Sequence, residues 1–347
     1  MRGCYFMEFV SVIMPTYNKA DYLTLTLESF LHQTNDQFEI VLVDDGSTDH
    51  TKNVVDHYSK LLSLNYIYQE NKGRSWARNT GLRSAKSDII VFCDDDRMVS
   101  TTYIDGYLDL LSEKSRQVVI GWKDVICTIN DDRIRESELI TKLRKQYGNS
   151  KYLFSWDELQ NNYEELMESL YLRTPYDNYT FVIDRYGSEL KGFDIPFAIA
   201  VSGNMGYNRY YAPCEFMDTK FTGWGCEDNE FAYRLMLKGY EFMSSRKVTN
   251  HHQRHPVDNQ ERSSMLLRNM AYFAVKHTNL DVYMFWNAFQ NKDRSFDLIY
   301  CNETVKLLKN TKDKTILRFA DHLLNSWAND QMQILKRLDE KVEDEGL

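Results

Sequence analysis

The sequence predicts an α/β fold with a mostly parallel central sheet, helices on both faces and a C-terminal helical extension. Three observations support this. Strand-length apolar segments alternate with helical segments through residues 9–100. The strand segments are continuously apolar, which is typical of parallel strands that are buried on both faces. In Ile316–Val342, apolar residues recur three or four positions apart, so this segment is predicted to be a long helix with one apolar face.

Four strands and three helices are predicted in the first hundred residues. The strands are Val10–Met14, Phe38–Val43, Asn65–Gln69 and Ile89–Cys93. The helices are Tyr22–Leu31, His50–Leu61 and Ser75–Ala85, with Asp49 as the N-cap of the second. Ligands of parallel sheets bind beyond the carboxyl ends of the strands, so the residues that follow each strand are the first candidates for a site.

The rest of the chain divides into a polar middle segment, a return to the alternating pattern and a helical end. The predicted helices are 103–111, about 134–147, about 156–172 and Glu227–Lys238, which ends at Gly239. The predicted strands are Val118–Trp122, Ile195–Ser202 and a short one near Tyr240–Met243, which a histidine-rich loop follows. We therefore expect a catalytic domain at 1–261, with an acceptor-side insertion at 128–192, and a helical region at 262–347.

Composition excludes several classes of protein. Apolar residues make up 43% of the 347 residues, which excludes general disorder, and the net charge of −9 lacks the basic footprint of a nucleic-acid binder. The six cysteines form no CxxC pair, so we expect free thiols in a reducing compartment. No apolar stretch approaches 18 residues, and the expectation is a cytoplasmic protein without a membrane span.

Polar residues follow three of the first four predicted strands. They are Pro15-Thr16-Tyr17-Asn18, Asp44-Asp45-Gly46 and Asp94-Asp95-Asp96. Taken singly, such residues are ordinary turn formers. Carboxylates at one edge of a sheet can also bind a base or ribose and hold a divalent cation against a diphosphate. Three such ends on one side of one sheet favour a site.

These segments resemble a known family. VSVIMPTYN, VLVDDGSTDHT, NKGRSWARNTGL and IIVFCDDD look, in order and spacing, like the nucleotide-binding half of family 2 glycosyltransferases. The resemblance covers residues 9–100 and returns at 200–256. It implies the Rossmann-like GT-A fold. It also implies an inverting, metal-dependent transferase that moves a sugar from a UDP-sugar to an acceptor.

The resemblance also implies roles for the donor-side residues. Pro15, Thr16 and Tyr17 would flank the nucleobase, Asp45 would bind the uracil edge, and Arg78 would lie near the diphosphate. Asp94 and Asp96 would occupy the two acidic positions of the DxD motif, with Asp96 as the metal ligand and Asp95 facing the ribose or sugar. The family often has an acid and a proline where this sequence has Arg97 and Ser100.

The segment Gly223-Trp224-Gly225-Cys226-Glu227-Asp228 resembles the GWGxED element of galactosyl-, chondroitin- and polypeptide-N-acetylgalactosaminyl-type transferases. By that resemblance Asp228 is the general base, Glu227 binds the acceptor hydroxyl and the Trp224 indole packs against a sugar. Acids alone are common in the first turn of a helix, but Gly-Trp-Gly before them favours catalysis. Gly203-Asn204 resembles an element that lines the donor-sugar pocket.

Three histidines lie within His251-His252-Gln253-Arg254-His255. The family often supplies a late histidine to the metal, and His252 and His255 fit its spacing best, with His251 a rival for His252. The alternative is a solvated polar loop. Imidazole beside carboxylates would favour Mn²⁺ over Mg²⁺.

The expected acceptor is a glycan or a peptide or protein side chain. The C-terminal helices would cover the catalytic domain or pair two subunits as a homo-oligomer. Two other functions stay open: a non-catalytic glycan- or nucleotide-binding protein, and a nucleotidyltransferase. The second would normally have a Gly-rich, basic loop after the first strand, where this chain has Pro-Thr-Tyr-Asn.

Overall fold

The computed structural model describes residues 9–111, 116–172, 178–290 and 294–344. Eight strands in these ranges form one sheet in the order β3-β2-β1-β4-β7-β6-β8-β5. The strands are β1 Val10–Thr16, β2 Phe38–Asp44, β3 Leu64–Tyr68, β4 Ile89–Cys93, β5 Arg97–Val99, β6 Gln117–Ile126, β7 Asn204–Asn208 and β8 Glu241–Gln253. The first four are mutually parallel, β7 is antiparallel to both of its neighbours, and β5 is antiparallel to β8.

Helices lie between these strands and follow the last of them. They are α1 Ala20–Phe30, α2 Thr51–Tyr58, α3 Arg74–Ser84, α4 Tyr103–Leu111, α5 Glu138–Tyr147, α6 Trp156–Asn161, α7 Tyr163–Ser169, α8 Asn178–Tyr186, α9 Glu227–Leu237, α10 Asn259–Lys276, α11 Leu280–Gln290, α12 Arg294–Asn310 and α13 Lys314–Asp344. Short 3₁₀ helices span Pro196–Ile199 and Arg209–Tyr211.

Both faces of β1 are covered, which explains why the strand carries apolar residues on both faces. Val12 and Met14 belong to a buried cluster that includes residues of α1, α2 and α4. Ile13 faces the opposite side and lies so close to α3 that a Cβ on Gly81 would come within 2.5 Å of it. The predicted fold class, a mostly parallel sheet with helices on both faces and C-terminal helices, is therefore confirmed.

The Asp49 carboxylate caps two helices. Its Oδ1 accepts hydrogen bonds from the Thr51 backbone N–H at 3.0 Å and the Thr51 hydroxyl at 2.6 Å. Its Oδ2 accepts from the backbone N–H of Ala20, the first residue of α1, at 3.0 Å. The N-cap position of α2 is His50, one residue later than predicted, and its side chain makes no capping bond.

Three predicted elements differ from the structure. The predicted strand Ile195–Ser202 is wrong: Pro196 starts a 3₁₀ helix, since it has no N–H to donate to a sheet, and the strand begins at Asn204. The helix predicted at 156–172 is two helices that meet at Asn162, whose φ is −135°. The strand predicted at Tyr240–Met243 extends through Gln253, because every residue of β6 pairs with a residue of this strand.

The chain forms two compact units. The first comprises Met1–Thr174, Val201–Phe216 and Gly239–Val257 and contains the whole sheet. The second comprises Pro175–Ala200, Met217–Lys238 and Asp258–Leu347 and contains α8 through α13. The division into a catalytic domain at 1–261 and a helical region at 262–347 is a functional one, and it stays a prediction.

Two further expectations, on membrane-spanning helices and on free cysteines, are compared with the described residues. Within them, no helix combines the length and the apolar character that crossing a membrane requires. Five described cysteines are free thiols, Cys93, Cys127, Cys214, Cys226 and Cys301. Cys4 lies outside the described residues.

Candidate active site

The acidic triplet lies where β4 ends, at the carboxyl edge of the parallel strands. Asp95 and Asp96 are buried, with 6% and 4% of their surface exposed. The Thr16 hydroxyl, at the end of the neighbouring strand β1, donates to Asp95 Oδ2 at 2.7 Å. Arg78 of α3 donates from Nη2 to Asp94 Oδ1 at 2.8 Å. The strand ends singled out in the sequence therefore do converge, and Arg78 joins them.

Asp96 lies beside two of the three histidines. Asp96 Oδ2 is 3.2 Å from His255 Nε2 and 3.7 Å from His252 Nε2. One ligand atom from each of these residues lies within 4.8 Å of the others. One carboxylate and two imidazoles are a donor set that Mn²⁺ or a similar divalent cation accepts.

The ring of His255 is held in a metal-binding orientation. Its Nδ1 is 2.8 Å from the Pro256 carbonyl oxygen, which can only accept, so Nδ1 carries the proton. In the neutral ring, the lone pair of Nε2 then points at Asp96. A backbone carbonyl that fixes the tautomer in this way is the usual support of a metal-ligating histidine.

His251 faces away from this cluster. It precedes His252 on β8, and successive strand residues point to opposite faces of a sheet. Its Nδ1 is 3.8 Å from Asp124 Oδ2. The structure thus brings His252 and His255 to Asp96 and leaves His251 outside. The sequence alone does not make this distinction, because side chains of a predicted loop do not alternate between two faces.

Lys19 is a residue of this site that the sequence reasoning missed. Its ammonium forms an ion pair with Asp96 Oδ2 and lies 3.3 Å from His255 Nε2 and 3.9 Å from Asp95 Oδ1. The signal available in the sequence was its position directly after Pro-Thr-Tyr-Asn. A cationic side chain therefore lies among the atoms that could bind a metal ion.

Burial and neighbouring charges separate the pKa values within the cluster. Burial raises the pKa of Asp95 to about 7, against the opposing effect of Lys19. Burial would also raise the pKa of Asp96, but Lys19 and His252 hold it well below its usual value. Burial, reinforced by the Arg97 charge, lowers the pKa of His252 to about 4. At neutral pH Asp96 is thus ionised and His252 neutral, the states that ligate metals.

Asp45, the predicted uracil contact, also orders the segment that leads into α3. Its Oδ1 accepts from Gln69 Nε2 at 2.6 Å and from the Lys72 N–H at 3.0 Å, and its Oδ2 accepts from the Gly73 N–H at 2.7 Å. Tyr17 is 49% exposed at the end of β1, and Pro15 pairs with Val43 of β2. These predicted nucleobase contacts lie on adjacent strands.

Gly203 and Asn204 are adjacent in the sequence but have different surroundings. Asn204 is fully buried, and its amide donates to the carbonyls of Trp122 and Val248 while its Oδ1 accepts from Tyr103 and Tyr107. Its side chain is committed to the fold rather than to a pocket.

Gly203 adjoins the triplet. A Cβ there would come within 2.9 Å of Arg97 Nη2 and 3.0 Å of Asp94 Oδ2.

The Gly-Trp-Gly segment, in the second unit, forms the sharp turn expected before a helix. Gly223, Gly225 and Cys226 have φ values of +68°, +108° and +67°. Asn269 of α10 fixes the turn by donating from Nδ2 to the carbonyls of Thr222 and Gly225, both at 2.9 Å. Asn269 is fully buried, and nothing in the sequence marks it.

The two acids that follow differ in access. Glu227 is 3% exposed, and its Oε2 accepts from the Gly225 N–H at 3.1 Å. Asp228 is half-buried, and its Oδ1 accepts from the Asn229 N–H at 2.8 Å. The guanidinium of Arg262 lies 5.2 Å from the Trp224 ring. Asp228 is therefore the more accessible of the two predicted catalytic acids.

The chain is similar to a known family and to a known protein. The family model "Glycosyl transferase family 2" matches residues 11–184, half of the chain. Chondroitin synthase of Escherichia coli is 27% identical over 262 residues, which cover 74% of this chain and 36% of that protein. The chain thus spans about a third of the length of that relative.

Solved structures share the fold. Residues 1–349 of S. aureus TarS in complex with UDP match with a TM-score of 0.51 and 17% identity, covering 98% of this chain and 92% of that one. GalNAc-T7 with UDP, GalNAc and Mn²⁺ matches with a TM-score of 0.53 and 16% identity, covering 82% and 51%.

Proposed function

Because this chain belongs to glycosyl transferase family 2, we propose that it is an inverting, metal-dependent enzyme that moves a sugar from a UDP-sugar to an acceptor nucleophile. The observation that supports this most is the convergence of Asp96, His252 and His255 at the strand edge where Arg78 and Asp94 also meet. Carboxylates, imidazoles and a guanidinium at one edge suit a metal-bound diphosphate.

We propose that Pro15 and Tyr17 flank uracil and that Asp45 accepts its N3–H. Asp45 Oδ2 accepts a hydrogen bond from the Gly73 N–H, and a carboxylate oxygen can accept two. TarS, which shares the fold, has been solved with UDP. A uracil N3–H offers the donor that this oxygen can take, whereas the corresponding cytosine nitrogen has no proton.

We propose Mn²⁺ as the metal, held by Asp96, His252 and His255, because imidazole ligands disfavour Mg²⁺. GalNAc-T7, of the same fold, has been solved with Mn²⁺. When bound, the cation would neutralise charge on the leaving diphosphate. Arg78, buried and paired with Asp94, would add a fixed positive charge beside it.

On the acceptor side we propose Asp228 as general base, with Glu227 binding the acceptor hydroxyl and Trp224 packing against a sugar. The acceptor oxygen forms a bond to the anomeric carbon while the bond from that carbon to the diphosphate oxygen breaks, and the acceptor proton passes to Asp228. A single displacement inverts the anomeric configuration. The acceptor would be a carbohydrate or a peptide or protein side chain, selected by residues 128–192 and the C-terminal helices.

We also propose that the start of α13 pairs with a second copy of the chain. Ile316, Phe319 and Leu323 lie on one face of its first turns and are 44%, 67% and 38% exposed. Further along the same face, Trp327 is buried. An uncovered extension of a partly covered apolar stripe suits a self-complementary interface.

The proposed function is tested by incubating the protein with a panel of UDP-sugars, with and without Mn²⁺, and measuring released UDP and melting temperature. We expect one donor to raise the melting temperature and to release UDP slowly in a reaction that EDTA stops. Stabilisation without any release over long incubation would support the non-catalytic alternative. Stabilisation by nucleoside triphosphates instead of UDP-sugars would support a nucleotidyltransferase.

A further inference from the structure

We propose that Lys19 couples metal binding to diphosphate binding. Its ammonium occupies the cation position of the Asp96–His252–His255 cluster, and it leaves that position when a divalent cation enters together with a nucleoside diphosphate. The displaced ammonium then pairs with the diphosphate. This inference rests on the proposed function, since it concerns the same site.

The first argument is geometric. Lys19 Nζ pairs with Asp96 Oδ2, the oxygen that also lies nearest to both histidine Nε2 atoms. It is 3.3 Å from His255 Nε2, and in the neutral ring, where Nδ1 donates to Pro256, the Nε2 lone pair faces the ammonium. The ammonium therefore uses the same lone pairs that a metal ion would need, and the two cations cannot share them.

The second argument is charge balance. In the described part of the chain, the carboxylates of Asp94, Asp95 and Asp96 face three cationic side chains. These are Lys19, Arg78, which is 2.8 Å from Asp94, and Arg97, which is 3.7 Å from Asp96. A divalent cation that replaces the Lys19 ammonium in this buried cluster would add one net positive charge with no anion to offset it, and the displaced ammonium would lose its carboxylate partner. A diphosphate supplies that negative charge, so the two ligands should bind together.

The third argument is that Lys19 can move. It lies at the N-cap position of α1, its side chain is 28% exposed, and its ammonium contacts the side chains of Asp95, Asp96 and His255. A lysine ammonium on a flexible four-carbon chain reorients readily. Asp96 and His252, in contrast, lie beside β4 and on β8, within the sheet. The lysine is thus the mobile partner of the cluster.

The test measures Mn²⁺ affinity from the electron paramagnetic resonance signal of free Mn²⁺, without nucleotide, with UMP and with UDP. In the unaltered protein we expect UDP to strengthen Mn²⁺ binding by at least about tenfold more than UMP does, within the usual range of coupling between sites. Lys19→Met should bind Mn²⁺ at least about tenfold more tightly without nucleotide, and UDP should add less. Lys19→Arg keeps the charge and should show coupling close to that of the unaltered protein.

Equal Mn²⁺ affinities of Lys19→Met and the unaltered protein without nucleotide, or an unchanged advantage of UDP over UMP in Lys19→Met, would overturn the inference. Calorimetric UDP binding by the same samples separates this failure from failure of the proposed function. If UDP binds and coupling is unaffected by Lys19, the role of Lys19 alone is rejected; if UDP does not bind, both are. Melting temperatures control for folding, and Lys19→Gln replaces Lys19→Met if the latter unfolds.

Discussion

At the scale of single residues, two adjacent histidines offer a matched pair of substitutions. His252 lies 3.7 Å from Asp96, while His251 points to the other face of β8. We expect His252→Gln to weaken Mn²⁺ binding in the presence of UDP by about 10–100-fold or more, because losing even a group that only orients a metal ligand typically costs that much. His251→Gln should leave it within about twofold.

Calorimetry with Mn²⁺ and UDP checks this, with melting temperatures measured for both variants. Equal weakening by the two substitutions would show that the opposite orientation of these side chains does not decide metal binding. A larger effect of His251→Gln would move the site to the Asp124 side of the strand.

Asp228 is the proposed general base that takes the acceptor proton. We expect Asp228→Asn to lower turnover by about 10²–10⁴-fold, the usual contribution of a general base, since asparagine keeps the size of the side chain but cannot take a proton. UDP affinity should stay within about twofold, because a base that acts on the acceptor contributes in the transition state.

The comparison requires transfer rate and UDP affinity from the same preparation, with an acceptor in hand. Glu227→Gln is the neighbouring control, and it should weaken acceptor binding more than UDP binding. Near-normal turnover in Asp228→Asn would place the base elsewhere, with Glu227 as the first candidate.

The sequence identified several of these residues, for reasons that differ. Asp96, His252 and His255 could be proposed because they belong to patterns along the chain. The exclusion of His251 depends on strand alternation that a predicted loop does not have. Lys19 is separated from Asp96 by 77 residues and from His255 by 236. Only the fold shows that its ammonium reaches both.

At the scale of secondary-structure elements, Asp49 joins the starts of α1 and α2. We expect Asp49→Ala to lower the free energy of unfolding by about 1–3 kcal/mol, since loss of one capping side chain costs about 0.5–2 kcal/mol and this one caps two helices. Chemical denaturation of the two proteins measures the difference. A change below about 0.5 kcal/mol would show that water replaces the carboxylate at both helix ends.

The Asp49 contribution should also depend on pH. Burial would raise the pKa of Asp49, but the hydrogen bonds from Thr51 and Ala20 hold it below its usual value. The unfolded chain therefore binds the proton more readily, and the stabilisation is present above about pH 4 and is lost as pH falls below it. The stability difference between Asp49→Ala and the unaltered protein should accordingly shrink in acid.

Element boundaries could be predicted where local chemistry sets them and not elsewhere. Ile89–Cys93 was predicted with its observed bounds because turn residues flank it on both sides. The strand placed at Ile195–Ser202 failed because its apolar residues pack as a 3₁₀ helix around Pro196. The predicted histidine-rich loop is part of β8 because β6 pairs with it, and a partner strand is not visible in a local pattern.

At the scale of the whole molecule, the second unit is assembled from three separate stretches of chain. The sequence predicts a helical end after about residue 262, and periodicity supports a long helix in Ile316–Val342. The contact of this helical end with the Gly-Trp-Gly turn is not predicted by the sequence. It depends on the buried side-chain amide of Asn269, which donates a hydrogen bond to Gly225, 44 residues earlier in the chain. Long-range hydrogen bonds of this kind leave no periodic trace in a sequence.

We therefore expect a chain that ends at residue 262 to be less stable and less soluble than the full chain. The deletion removes Asn269 and leaves the carbonyls of Thr222 and Gly225 without its hydrogen bonds. It also uncovers Tyr233 of α9, which is 2% exposed and whose ring centroid lies 5.8 Å from that of Phe273 in α10. Thermal unfolding and the soluble fraction after expression measure this. Equal stability and solubility would mean that the first 262 residues fold on their own.

The central claim is that this chain binds UDP together with a divalent cation at the edge formed by Asp45, Asp96, His252 and His255. Its most direct test is calorimetric titration of the full chain with UDP, GDP and CDP, each in Mn²⁺ and in EDTA. We predict that UDP binds in Mn²⁺, loses at least about tenfold in affinity in EDTA, and binds at least about tenfold more tightly than GDP or CDP. Equal binding of GDP, or UDP binding that chelation leaves unchanged, would contradict the account.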